Sequence, residues 1–196
     1  MRPAAALLAS VALAGCVGTP PVVVPYVAPD PAAFQSWVAS GRMAVAAGGT
    51  GGSGSFEWRQ VGDVSALTLA GPLGAGAMQV TIAAGEPSVV DAGGRELGPE
   101  ATRGYLQERL GTDVPWDELR YWMLGLPAPG SPATVATDGG DPFRTIEQSG
   151  WRVGYGAFRT VGGVSLPARF TASSGAVRLK VTVDRWGPPS ASGGAP

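Results

Sequence analysis

The 196-residue sequence predicts a mainly antiparallel β protein with a helical insert: a curved sheet whose mouth is crossed by helices. Three observations carry this. Apolar and polar residues alternate with period two in many short runs, the signature of strands with one buried face. The chain holds 31 Gly and 18 Pro, which suits many turns better than a helical bundle. Near the middle the apolar spacing changes to three and four, and then returns to two.

Taken in order, the first strand places Trp37, Ala39, Gly41, Met43 and Val45 on one face, with Ser40 and Arg42 opposite. Residues 48–54 are glycine-rich and are expected to form a flexible hairpin loop. Gly49-Thr50-Gly51-Gly52-Ser53-Gly54 matches G-x-G-x-x-G, but a dinucleotide site needs a helix next, and here Phe56-Glu57-Trp58-Arg59 alternates as a strand. Leu67 and Leu69, then Met78, Val80 and Ile82, continue the meander, and residues 88–91 can add a short strand. Ala101, Tyr105, Leu106 and Leu110 then fall at helical spacing, with Gly111 placed to end the helix. Pro115 suits the first position of a second helix carrying Trp116, Leu119, Trp122 and Met123, and Gly125 can stop it. Strands resume at Trp151, Val153, Tyr155 and Ala157, then at residues 166–172, then at Val177, Leu179, Val181 and Val183. A sheet with one wet face must cover the other, and the two helices are the cover available.

The N-terminus explains where this body resides. Arg2 precedes an apolar run over residues 4–14, too short to span a bilayer, so it reads as a signal peptide. It closes on Leu13-Ala14-Gly15-Cys16, and Cys16 is the only cysteine. This resembles the bacterial lipobox, in which the thiol takes a diacylglycerol; the alternative is an ordinary signal with a chance cysteine. The expected organisation is a leader over residues 1–15 and the lipidated Cys16 with a Pro/Val-rich tether over residues 16–31. A folded domain over residues 32–186 and a Pro/Gly/Ser tail over residues 187–196 complete it. An extended tether of this length would let the domain stand up to about 45 Å from the membrane.

Composition excludes several chemistries. The formal net charge is −1, or −2 once Arg2 leaves with the leader, and Lys180 is the one lysine among scattered arginines. Nucleic acid is therefore not an expected partner. With no histidine there is no Ser-His-Asp triad or Cys-His dyad. With Cys16 acylated, zinc and iron–sulfur sites lose their usual ligands, so no metal or cofactor is expected. Neither a P-loop nor G-x-S-x-G occurs. A hydrolase using carboxylates would have to draw on Glu57 or Asp184, both on strand faces expected to meet solvent. An integral outer-membrane barrel is disfavoured because the face opposite the apolar one carries Arg, Lys, Glu and Asp.

Two features ask for an explanation beyond packing. Six tryptophans, Trp37, Trp58, Trp116, Trp122, Trp151 and Trp186, can fill the core or line a pocket in an incomplete barrel. Gly71-Pro72-Leu73-Gly74-Ala75-Gly76 joins two strands without one polar side chain; it is either a buried turn or an exposed apolar tip.

Together these fragments resemble the LolB family, the outer-membrane receptors of bacterial lipoprotein sorting. The resemblance rests on Gly41-Arg42, Phe56-Glu57-Trp58-Arg59-Gln60 and Gly71-Pro72-Leu73-Gly74. It continues through Leu119-Arg120-Tyr121-Trp122-Met123-Leu124-Gly125-Leu126-Pro127 and Gln148-Ser149-Gly150-Trp151-Arg152-Val153-Gly154-Tyr155. It closes with Leu166-Pro167, Val177-Arg178-Leu179-Lys180 and Trp186. The resemblance implies an unclosed antiparallel β-barrel with a helical lid and an apolar cavity. It implies a non-enzymatic monomer at the periplasmic face of the outer membrane, which accepts triacylated lipoproteins from the carrier LolA and inserts them into the inner leaflet. The expected cavity residues are Phe56, Trp58, Leu67, Leu69, Val80, Ile82, Leu119, Trp122, Met123 and Trp151. The expected membrane-inserting tip is Leu73 with Pro72 and Gly74. The competing reading is an assembly lipoprotein that binds protein partners in place of acyl chains.

Overall fold

The computed structural model describes residues 26–72, 76–110, 114–137 and 143–188. Two antiparallel meanders form one sheet of eleven strands in the order β6-β5-β4-β3-β2-β1-β11-β10-β9-β8-β7. The first is β1 (Ser36–Ala47), β2 (Thr50–Val61), β3 (Val64–Ala70), β4 (Met78–Ala83), β5 (Glu86–Val90) and β6 (Glu96–Leu97). The second is β7 (Ala133–Thr137), β8 (Arg144–Gln148), β9 (Trp151–Val161), β10 (Val164–Ser174) and β11 (Val177–Gly187). First and last strands pair, β1 with β11, so the edges left over are β6 and β7. The chain between those two edges contributes α1 (Pro99–Leu110) and α2 (Trp116–Met123). The sheet is therefore open, and both helices lie in the chain that joins its two edge strands.

Alternation sorts the two faces as the sequence requires. Trp37 and Ala39 of β1, Phe56 and Trp58 of β2, Leu67 of β3, and Val80 and Ile82 of β4 are buried. So are Val153 and Tyr155 of β9, Phe170 and Ala172 of β10, and Val181 and Val183 of β11. All belong to one hydrophobic cluster, which Trp122 and Met123 of α2 join. Burial of each such side chain contributes about 1.5–3 kcal/mol.

Several elements differ from the sequence reading. The expected glycine-rich loop over residues 48–54 is mostly strand: Ala47 pairs with Thr50, Ala46 with Gly51 and Met43 with Gly54. Only Gly48 and Gly49 turn, at φ of 53° and 90°, a left-handed pair that non-glycine residues adopt at a cost. Backbone pairing with β1 thus overrides the poor strand propensity of Gly and Ser. Pro115 is the residue before α2, at φ −79° and ψ 81°, and not its first helical position. Strands β6, β7 and β8 are additions. Residues 26–31, placed in the tether, lie against the barrel: the Val27 N–H donates to Ser165 Oγ at 3.0 Å and the Ser165 N–H to the Val27 carbonyl at 2.7 Å. Tyr26 meets Phe158 edge-on at 5.0 Å beneath the Arg144 guanidinium.

Candidate functional site

Strand register assembles the concave wall row by row. Phe56 lies across from Leu69, Trp58 from Leu67, and Leu67 from Val80. Ile82 pairs with Ser65 one row further. Trp151 enters from β9, opposite Gln148 of β8. From above, α2 contributes Leu119, Trp122 and Met123. Eight of these ten expected cavity residues are buried, and Leu69 and Leu119 pack half-buried against the same cluster. The structure thus brings all ten together.

The tryptophans organise the wall in two groups. Trp37 packs on Trp58 at 5.7 Å and on Trp186 at 5.3 Å, while Trp122 packs on Trp151 at 6.2 Å. Trp37, Trp58, Trp122 and Trp151 are buried, and Trp116 and Trp186 are half-buried. At the lower edge of the first group Gln60 is 1% exposed. It accepts from Trp58 Nε1 at 3.2 Å and Ser65 Oγ at 2.6 Å, and donates to the Gly62 carbonyl at 2.8 Å, so this polar group is satisfied inside an apolar wall.

Sequence reasoning assigned no role to the residues that fix α2. Gln148 of β8 is the hub. Its Oε1 accepts from Trp122 Nε1 at 3.0 Å and from the Ala128 N–H at 2.9 Å, while its Nε2 donates to the carbonyls of Ala128 and Ser131. The Tyr155 hydroxyl donates to the Trp122 carbonyl at 2.8 Å. Full burial pushes that phenol well above its ordinary range, so it stays protonated and able to donate. After Met123 the helix ends as expected at Gly125, whose φ is 77°. The Leu126 N–H returns to the Tyr121 carbonyl and the Gly125 N–H to that of Trp122. Arg144 Nε caps the Gly125 carbonyl at 3.1 Å. On the opposite side Arg120 reaches Asp63 at 2.6 Å and the Gly62 carbonyl. Burial is the largest influence on the Arg120 charge and opposes it, but the hydrogen bonds and charges of Asp63 and Tyr121 together outweigh it and raise its pKa. A Gln at the end of a strand is the only sequence signal for this network, and it does not reveal its partners.

Space opens at the rim. A cleft of about 600 Å3 lies between α2, Arg103 of α1, the Gly85-Glu86 corner and residues 128–131. A second, of about 270 Å3, lies between Phe34, Trp37, Gln60, Arg120 and Leu124. Of the ten wall residues, Trp151 also borders a cleft of about 480 Å3 beside the β8–β9 turn.

The remaining expectations are placed as follows. Pro72 is exposed where the chain leaves β3; Leu73, Gly74 and Cys16 lie outside the described residues. Glu57 and Asp184 are exposed and ion-paired, with Arg59 at 3.8 Å and Arg42 at 3.3 Å. Among the described residues no cluster of three or more His, Cys, Asp or Glu could hold a metal. No described helix is long and apolar enough to cross a membrane.

The fold is an open antiparallel sheet with one apolar face and two helices in the connection between its edge strands. An outer membrane lipoprotein-sorting protein domain from Vibrio parahaemolyticus aligns over 82% of this chain and 88% of its own, with TM-score 0.52 at 6% identity. A LolA superfamily protein from Nitrosomonas europaea aligns over 80% and 87%, with TM-score 0.50 at 9% identity. At such identities the likeness concerns the fold alone. Sequence comparison is more specific. The family described as Outer membrane lipoprotein LolB matches residues 35–186. The Outer-membrane lipoprotein LolB of Halorhodospira halophila is 33% identical over 93% of both chains. That of Pseudomonas fluorescens is 31% identical over 79% of this chain and 76% of its own. The chain belongs to the LolB family of outer-membrane lipoproteins.

Proposed function

We propose that this protein accepts triacylated lipoproteins from a soluble LolA-like periplasmic carrier and inserts them into the inner leaflet of the outer membrane. It does so as a monomer without cofactor, anchored through acylated Cys16. The observation that supports this reading is the packing of ten apolar side chains from the strands and α2 into one cluster on an open eleven-stranded sheet. Each acyl chain buries on the order of 10 kcal/mol at about 0.8 kcal/mol per CH2, so three chains do not cross water without such a wall. The ten side chains pack on one another here, so a chain enters by parting the cover and displacing their mutual contacts. No ATP motif is required if each transfer runs downhill in affinity.

Leu73, at the apolar β3–β4 connection, is proposed to lead acyl chains into the bilayer. Leu73→Glu should leave acceptance of cargo from the carrier near wild type while lowering insertion into liposomes, because a carboxylate resists entering hydrocarbon. Both are measured in one preparation, and insertion at the wild-type rate removes the tip from the mechanism. The close packing of the concave wall favours one other reading, a lipoprotein that binds protein partners and has no acyl site. Failure of the unlipidated chain to bind a fluorescent fatty acyl probe or an acylated lipoprotein would select it.

A further inference from the structure

We infer that the end of the sheet bearing the β8–β9 and β10–β11 turns docks on anionic phospholipid, with Arg152, Arg178 and Lys180 as its cations. The inference rests on the delivery reading above and adds the surface that would orient the barrel for it. Charge is segregated along this chain. Residues 60–142 contain eleven acids and four arginines, whereas residues 144–196 contain seven cations and two acids, Glu147 and Asp184. Folding places three of these cations, Arg152, Arg178 and Lys180, close together on β9 and β11. Arg152, Ser173 and Arg178 lie side by side on adjacent strands, and the next row on that face holds Gly154, Thr171 and Lys180. At strand spacings of about 4.8 Å, with about 7 Å between same-face rows, three cations frame small side chains and hydroxyls. Arg152 and Lys180, with Arg169, border a shallow cleft of about 400 Å3 that also includes Gly154, Thr171 and Ser173, and Arg178 lies beside it next to Ser173.

The three cations are exposed. Arg152 holds Glu147 at 2.5 Å, and among the described residues no carboxylate pairs with Arg178 or Lys180. The adjoining turns, Gly48-Gly49, Ser149-Gly150 and Gly175-Ala176, carry no charge. Register places the end of β3 toward this same end. Ala70 pairs with Ser55, Ser55 with Arg42, and Arg42 with Thr182, so the chain leaves β3 on the side where Lys180 and Arg178 lie. Exposed cations around a shallow cleft, with no exposed aromatic among them, suit a phosphate-bearing surface better than a protein hot spot.

The test uses the mature chain from residue 16 with Cys16→Ala, which keeps every described element. It is sedimented with phosphatidylcholine vesicles, with and without added phosphatidylglycerol, at low and raised salt. The expected result is a preference for the anionic vesicles that salt erodes. Loss of about fivefold per cation is expected, hence roughly 25-fold for Arg178→Gln/Lys180→Gln, while Arg178→Lys/Lys180→Arg retains binding. Circular dichroism and acyl-probe uptake are followed in parallel. Normal uptake with equal binding to both vesicle types overturns this inference and leaves the delivery reading standing. Absent uptake with salt-sensitive anionic binding overturns delivery and leaves the docking face. Binding by the Gln pair at the wild-type level, or lost equally in the conservative pair, also overturns it.

Discussion

The described parts of the two helices are held in different ways. α1 is the longer, yet α2 is the one fixed in place. α2 buries Glu118, Trp122 and Met123 and is bonded to β8, β9 and the β2–β3 turn through Gln148, Tyr155, Ser149 and Asp63. α1 packs chiefly on β5 and β6. Its described side-chain ties are Thr102, which donates to the Leu97 carbonyl at 2.9 Å, and Arg103, paired with Glu86. Helices of this length are marginal alone in water, so tertiary partners decide which stays. Among the described residues α2 is thus the half tied across several strands, and Arg103 of α1 faces it across a cleft of about 600 Å3.

The largest effect that can break this comparison is on stability. Trp122→Ala should cost about 3–5 kcal/mol, because it empties a core position and strands Gln148 of one partner. Gln148→Ala leaves the Trp122 indole N–H and both polar groups of Ala128 without partners, at about 1–3 kcal/mol for each group that stays buried. Arg103→Ala removes an exposed ion pair and should change stability by less than about 1 kcal/mol. Denaturant melts of the three variants check this. Equal losses from α1 and α2 would mean that the two helices are held alike.

How much of this was legible in the sequence follows from where the information lies. β2 was legible from Phe56 onward, because Phe56 and Trp58 alternate with Glu57 and Arg59 and one face is buried. β7 was not: Ala133–Thr137 is exposed throughout, an edge strand with no period to read. β8 has Thr145 and Ile146 buried in succession, which hides its alternation. The first half of β2, Gly51-Gly52-Ser53-Gly54, is a strand only because β1 supplies its hydrogen bonds. The apolar wall was legible for the converse reason, since all ten residues sit at positions where period alone sets the face. Gln148 and Tyr155 act through bonds to residues 20–33 positions away, which no local pattern encodes.

A middle-sized effect sharpens the fixed side. Gly125 adopts a left-handed backbone, and a Cβ there would stand 3.1 Å from Phe158 and 3.3 Å from Pro167. Gly125→Ala should cost about 1–2 kcal/mol from backbone conformation and more if those rings cannot yield. Hydrogen exchange should accelerate at residues 121–126, where the closing bonds of α2 lie, and remain unchanged in α1. Acceleration confined to α1 would reverse the assignment of the fixed half.

The smallest effect separates the halves by pH. On the α1 side, Asp91 shapes the turn leading to β6: its Oδ1 accepts from the Gly93 and Arg95 N–H groups at 2.9 Å. The Arg95 backbone N–H, ahead of the arginine charge, holds its carboxyl below the ordinary value. A depressed carboxylate stabilises the fold above its unfolded pKa and loses that contribution as pH falls through the folded value. The tie is exposed, so acid should raise exchange modestly over residues 86–110. On the α2 side the sign is reversed. Tyr155 is raised by burial, so its contribution is complete below the unfolded value near 10 and fades as pH climbs above it. Its partner, the Trp122 carbonyl, and the Gln148 network do not ionise. Acid should therefore loosen the α1 side first and strong alkali the α2 side first, with Asp91→Ala abolishing the former response and Tyr155→Phe the latter. Exchange measured at both extremes on the wild type and the two variants decides it, and responses that ran together at both would show the cover to be one cooperative unit.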